Sequence, residues 1–138
     1  LWDTIRQDSS LIRNLFEESL RIEAPFRGFT RVTLEDVEID NVYIPKGSRV
    51  WALYASANRD ERFWQHPDKF DLHRENLRKH LGFGMGIHQC AGQHLARMEM
   101  TCLLKSMVEK VRRIEVSNVQ YAVNNTLRAI ETMDVTFQ

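Results

Sequence analysis

Residues 83–92, Phe-Gly-Met-Gly-Ile-His-Gln-Cys-Ala-Gly, collect on one stretch the groups best able to do chemistry: a cysteine, a histidine two positions before it, and glycines on both sides. Gly84 and Gly86 let the backbone take conformations closed to other residues and approach a bulky group closely. Cys90 precedes a helical pattern, and the free N–H groups at a helix start favour an anion, so a thiolate is readily held there. Such a thiolate reads as a metal ligand. A buried, inert cysteine is the commonest fate of a lone Cys, but it leaves the paired glycines, Phe83 and His88 unexplained.

The helix that must position this loop follows it directly. Ala96, Met100, Leu104, Met107, Val108 and Val111 recur at helical spacing, with Arg97, Glu99, Lys105 and Glu109 between them. Among metal centres that take one soft sulfur ligand, haem iron suits a flat cavity bordered by a glycine loop, and a thiolate opposite oxygen favours O–O cleavage. A zinc site built from His88, Cys90 and His94 is the rival. It offers three ligands where structural zinc takes four, with Cys102 badly placed to be the fourth.

Phe83-Gly-x-Gly-x-His-x-Cys90-x-Gly92 resembles the haem-binding signature of the cytochrome P450 family, with every fixed residue in register. The resemblance implies a bound haem b (iron protoporphyrin IX) with Cys90 as its axial ligand. It also implies His88 on a haem propionate, Phe83 packed beside the thiolate, and Gly84, Gly86 and Gly92 against the cofactor. The implied fold class is α+β, the C-terminal portion of the mainly α cytochrome P450 fold. Its parts would be a Glu-x-x-Arg helix, a small antiparallel sheet, the cysteine loop, a long helix and a C-terminal β-hairpin.

Upstream, Leu11, Ile12, Leu15, Phe16 and Leu20 recur at three and four from Asp8 or Ser9, predicting a helix that ends before Pro25. By themselves Glu18 and Arg21 are one more exposed ion pair on that helix, worth well under about 1 kcal/mol. Glu18-Ser-Leu-Arg21 also resembles the family's Glu-x-x-Arg motif, a buried ionic latch. The third partner of that latch is usually an arginine, whereas the matching stretch here reads Pro67-Asp68-Lys69-Phe70. Lys69 would bring a point charge in place of a planar fork.

Val32, Leu34, Val37, Ile39 and Val42 to Ile44 read as short strands, Pro45-Lys46-Gly47 as a turn, and Ser48 to Ala55 as another strand, together a small antiparallel sheet. Phe26 and Phe29 read as core packing and Arg31 as a solvated arginine. The resemblance instead implies that Pro25, Phe26 and Phe29 line a substrate pocket and that Arg31 pairs with the second propionate. Glu61 to His80 is irregular. Its basic residues Lys69, Arg74, Arg78 and Lys79, with Arg97 on the following helix, form either a solvated charged face or a docking surface for an acidic electron donor. The end of the chain, turning at Asn124-Asn125 and closing with Met133 to Phe137, reads as a hairpin. In the family its tip reaches substrate, which implicates Asn125, Thr126 and Leu127.

Composition narrows the field further. Of 138 residues 43% are hydrophobic, enough for one modest domain, and the formal net charge of zero gives no electrostatic case for nucleic acid. Two cysteines make a disulfide framework improbable, and no apolar run approaches bilayer length. The resemblance implies a protein roughly three times longer. Residues 1–138, which do not begin with Met, are therefore expected to be the C-terminal part of a single cytochrome P450 domain, without the distal oxygen-binding helix and inactive alone. The whole is expected to be a soluble, cytoplasmic, bacterial-type monooxygenase. It would insert one oxygen atom of O2 into an apolar small molecule with electrons from a ferredoxin or other carrier. The alternative is a non-catalytic haem-binding or sensing module.

Overall fold

The computed structural model describes residues 1–138. Asp8 accepts the Ser10 N–H at 3.0 Å and so opens a single 3-10 turn, Ser9–Leu11, which runs into helix α2, Ile12–Glu23. The predicted helix is thus present. A short helix α1, Trp2–Gln7, precedes it, which the apolar spacing did not announce. Ala24 closes α2 in the left-handed region, φ 39°, and Pro25 cannot continue the helix.

The expected small sheet is two separate ribbons. Strand β1, Phe29–Val32, pairs antiparallel with β4, Arg49–Ala52, and β2, Val37–Ile39, pairs with β3, Val42–Ile44. Asp40 and Asn41, with φ 50° and 62°, make the tight turn between β2 and β3. The strand expected to reach Ala55 stops at Ala52, because the chain winds into helix α3, Tyr54–Ala57, which buries Tyr54 and leads to the fully buried Asn58.

Residues 59–92 hold only two single 3-10 turns, Leu77–Lys79 and Gly86–His88, as the weak periodicity implied. Side-chain anchors give this segment its path. Trp64, 3% exposed, donates Nε1–H to the Ala57 carbonyl at 3.1 Å and lies under the Arg21 guanidinium, 5.3 Å from its ring centre.

Helix α4, Gln93–Lys110, carries the predicted stripe. Ala96, Met100, Leu104, Met107 and Val108 are all half-buried. The core is formed by Ile5, Leu11, Ile12 and Leu72, with Leu15, Phe70, Leu104 and Val108 packed against it, and so lies where α1, α2 and α4 meet. The hairpin is strand β5, Ile114–Tyr121, against β6, Ile130–Phe137, with an irregular register between Ser117 and Tyr121. No helix is long and apolar enough to cross a membrane.

Candidate functional site

Helix α2 places two consecutive glutamates in the interior, and each organises a separate charged cluster. Glu18 and Arg21 are fully buried and joined by two hydrogen bonds, Nε to Oε2 at 2.7 Å and Nη2 to Oε1 at 2.9 Å. Arg21 Nη1 also donates to the Asn58 carbonyl at 2.8 Å. The third side chain of this cluster is Arg74, whose Nε meets Glu18 Oε1 at 3.0 Å. Lys69, expected in that role, contributes only its backbone carbonyl, to Arg21 Nη2 at 3.3 Å and to Arg74 Nη2 at 2.7 Å. Arginine wins because its planar fork reaches a carboxylate and several carbonyls at once, which an ammonium cannot. Burial works against ionisation of Glu18, but hydrogen bonds from Arg21, Arg74 and the Asp71 N–H outweigh it and hold the carboxyl below its ordinary range.

Glu17 forms the second cluster. It takes His80 Nε2 at 2.8 Å on one oxygen and Arg97 Nε at 2.6 Å on the other. Burial opposes the Glu17 charge, yet the hydrogen bonds from His80 and Arg97 bring its carboxyl down to about 2. Neither Glu17 nor His80 was singled out from the sequence. A second acidic residue beside a recognised motif carries no spacing signal of its own.

The cysteine loop is built against these clusters. Cys90 donates its N–H to the Phe83 carbonyl at 2.8 Å, closing residues 83–90 into a compact turn. Gly84 has φ 69°, and a β-carbon there would lie 3.4 Å from the His88 carbonyl and 3.8 Å from the Tyr54 ring. Gly92 caps α4, so Cys90 stands two residues ahead of the helix cap, and a β-carbon on Gly92 would lie 3.9 Å from Cys90 Sγ. Both Cys90 and Cys102 are free and exposed.

A cavity of about 480 Å³ opens onto the loop, within the roughly 300–1,000 Å³ common for ligand and cofactor sites. Its wall brings together Pro25, Phe26, Phe29, Arg31, Phe83, Gly84, His88 and Cys90, all singled out in the sequence. Leu20, Tyr54 and Gly82 complete it and were not foreseen. Phe26 and Phe29 stack with ring centres 5.3 Å apart, and Phe29 meets Tyr54 at 5.9 Å. Arg31 reaches the Tyr54 hydroxyl at 3.3 Å. An apolar wall with one thiol, one imidazole and one guanidinium at its border suits a flat, apolar group that carries acidic substituents and accepts a sulfur ligand.

Gly86 and Gly92 lie outside this wall. Asn125, Thr126 and Leu127 do not line it either, but the hairpin connection is tied to the segment that does. Leu127 forms a β-bridge with Phe26, and Arg27 donates to the Thr126 carbonyl at 2.9 Å. Of the five basic residues grouped as a docking surface, Lys69, Arg78 and Lys79 are exposed, whereas Arg74 and Arg97 are held in the glutamate clusters. Arg74, Arg78 and Arg97 nevertheless border a cleft of about 670 Å³, together with Arg13. No three His, Cys, Asp or Glu side chains converge as a metal-binding group, so His88, Cys90 and His94 do not form a ready zinc site.

Comparison with known proteins agrees with this geometry. The family model described as Cytochrome P450 matches residues 4–123. The chain is 42% identical over 132 residues to cytochrome p450 CYP199A2 of Rhodopseudomonas palustris, covering 95% of this chain and 32% of that protein. It is 44% identical over 114 residues to the cyclomarin C epoxidase CymV of Salinispora arenicola, covering 83% of this chain and 29% of that one. Among solved structures, cytochrome P450-153 from Novosphingobium aromaticivorans superposes with a TM-score of 0.90 at 34% identity, over 99% of this chain and 35% of that one. The chain therefore spans about a third of the length of the relatives it matches.

Proposed function

Because this chain belongs to the cytochrome P450 family, we propose that it is the haem-ligating C-terminal portion of a haem-thiolate monooxygenase domain. The observation that carries the reading is the shared cavity, in which the Cys90 thiol, Arg31 and His88 border one apolar wall. The group that fits is haem b. When bound it would supply the redox chemistry that inserts one oxygen atom of O2 into an apolar small molecule.

The residues of this chain hold and orient. Cys90 would supply the sulfur ligand from its place two residues ahead of the α4 cap. Arg31 and His88, on the same cavity wall, would hold the two propionates by hydrogen bonds to their carboxylates. Gly84 lets the loop lie close, while Gly86 and Gly92 leave the turn and the cap without side chains. Phe83, whose carbonyl takes the Cys90 N–H, would pack beside the sulfur. Pro25, Phe26 and Phe29 would give the substrate side its apolar wall, with the connection at Asn125, Thr126 and Leu127 tied to it through the Leu127–Phe26 bridge.

Electrons would arrive from a ferredoxin or other acidic carrier at the basic cleft, with Arg78, Lys79 and Lys69 steering its approach. A cytoplasmic location goes with such a carrier. The test is the absorption spectrum of the purified protein, reduced and exposed to carbon monoxide, beside a Cys90→Ala variant. A strongly red-shifted Soret band lost in the variant supports thiolate ligation, and a protein that takes up no haem overturns the reading.

A further inference from the structure

The cysteine loop has a charged residue of α2 under both of its ends. His80 precedes the loop and Arg97 follows it on α4, and Glu17 binds His80 by one contact and Arg97 by two. His80 Nε2 lies 2.8 Å from Oε2, while Arg97 Nε lies 2.6 Å from Oε1 and Nη2 3.1 Å from Oε2.

Hydrogen bonding fixes the histidine's state. His80 Nδ1 accepts the Gly82 N–H at 2.9 Å, so in the neutral ring the proton sits on Nε2 and is donated to Glu17. Both ring nitrogens are then used, one on α2 and one on the backbone that enters the loop. His80 is 5% exposed and Glu17 likewise, so water does not compete for these bonds.

On the other side, the Arg97 guanidinium lies over the Phe83 ring, 4.6 Å from its centre, and Nη1 reaches Gln93 Oε1 at 2.8 Å. Phe83 is the residue whose carbonyl takes the Cys90 N–H. Its ring also contacts Phe16 and His80, with centres 6.3 and 6.2 Å away. One carboxylate thus anchors the entry to the loop, the helix after it and the aromatic side chain between them.

We propose that Glu17 is the positioning residue of the cysteine loop, acting through His80 on Gly82 and through Arg97 on Phe83 to set the backbone that presents Cys90. This is a node separate from the Glu18 latch, which engages Arg21, Arg74 and Asn58 and touches none of these groups. The inference deepens the haem-thiolate reading and rests on it only for the importance of Cys90, not for the clamp itself.

Amide hydrogen exchange on Glu17→Gln reads the clamp without any cofactor. The Gly82 and Cys90 amides should exchange about tenfold faster or more relative to the β5–β6 ribbon. Leu81 is the internal reference, since its N–H is held at 2.7 Å by Asn58 Oδ1 and not through Glu17, and it should change no more than the β5–β6 ribbon does. Glu17→Asp, which restores the charge, should recover part of the protection. Glu115→Gln, at the exposed pair with Arg113, should change nothing in the loop.

An acceleration of the Gly82 and Cys90 amides no larger than that of Leu81 and of α2 and α4 would overturn the proposal, since Glu17 would then act only through the stability of the fold as a whole. Should Glu17→Gln not fold, Arg97→Lys keeps a charge on Glu17 but loses the fork and the stack. Selective exposure of the Cys90 amide in that variant supports the clamp, and an unchanged Cys90 amide refutes it. If the parent protein takes up no haem, the proposed function fails while the exchange result still decides the role of Glu17.

Discussion

Arg74 donates from Nε to Glu18 Oε1 at 3.0 Å, joining two residues 56 apart in the chain, with side-chain exposures of 7% and 0%. The same guanidinium also donates to the carbonyls of Gln65, His66 and Lys69. The irregular segment is therefore wound around Arg74 and pinned to α2 by it.

Removing one partner of a buried ion pair leaves an uncompensated charge, which costs about 3–5 kcal/mol. Arg21 still pairs with Glu18 when Arg74 is removed, so Arg74→Ala should lose less than that, about 1–3 kcal/mol in urea unfolding. Arg74→Lys should recover only part of it, because an ammonium cannot serve the carboxylate and three carbonyls together. Lys69→Ala should stay within about 0.5 kcal/mol of the parent, since that side chain is exposed and only its carbonyl is used. Equal losses for Lys69→Ala and Arg74→Ala would return the third place in the latch to Lys69.

Gly84 and Gly86 share φ 69° but differ in surroundings: a β-carbon at Gly84 meets the His88 carbonyl, and one at Gly86 meets nothing within 4 Å. Gly84→Ala should therefore cost more than about 1 kcal/mol and disturb the loop around His88. Gly86→Asn should be nearly neutral, because asparagine tolerates the left-handed region. Denaturant midpoints of the two variants make the comparison. A larger loss at Gly86 would contradict the packing described around Gly84.

The legible parts of the chain were those with a period or a motif. The apolar spacing at Leu11, Ile12 and Leu15 gave α2, and the cysteine loop pointed to Phe83, Gly84, His88 and Cys90 of the cavity wall. The interactions that tie distant segments together were not legible. Arg74 lies five residues beyond the expected Lys69, in a stretch with no periodicity, and only a folded path around Trp64 brings its guanidinium to Glu18. Glu17, His80 and Tyr54 are hidden for the same reason, since each acquires its role from a contact across the fold. Strand ends were similarly undetermined, as Leu53 to Ala55 suits a strand in composition but is drawn into α3 by burial of Tyr54.

The two thiols offer a direct check on the site. Cys90 and Cys102 are both free and exposed, so both should react with a soluble disulfide reagent in the protein without cofactor. Haem loading should protect Cys90 alone, leaving one reactive thiol, and Cys102→Ser should then leave none. Cys102→Ser should keep the red-shifted carbon monoxide band that Cys90→Ser loses. Protection of Cys102 in place of Cys90 would count against the assigned ligand.

Glu17 also predicts a specific acid sensitivity. Its carboxyl stands at about 2 in the folded chain against an ordinary 4.5, burial opposing the charge and the hydrogen bonds from His80 and Arg97 prevailing. A carboxyl depressed by folding contributes stability that is fully present above its unfolded value. That stability is lost as the pH falls from about 4.5 through about 2. The contribution at neutral pH is on the order of 3 kcal/mol. Unfolding midpoints of the parent should therefore fall steeply across that window. Glu17→Gln should start lower at neutral pH and fall less steeply, keeping the residual slope that Glu18 supplies from its own depressed carboxyl. Parallel curves for parent and variant between pH 7 and 2 would mean that Glu17 does not titrate with folding. Folding would then leave the carboxyl no easier to ionise than it is in the unfolded chain.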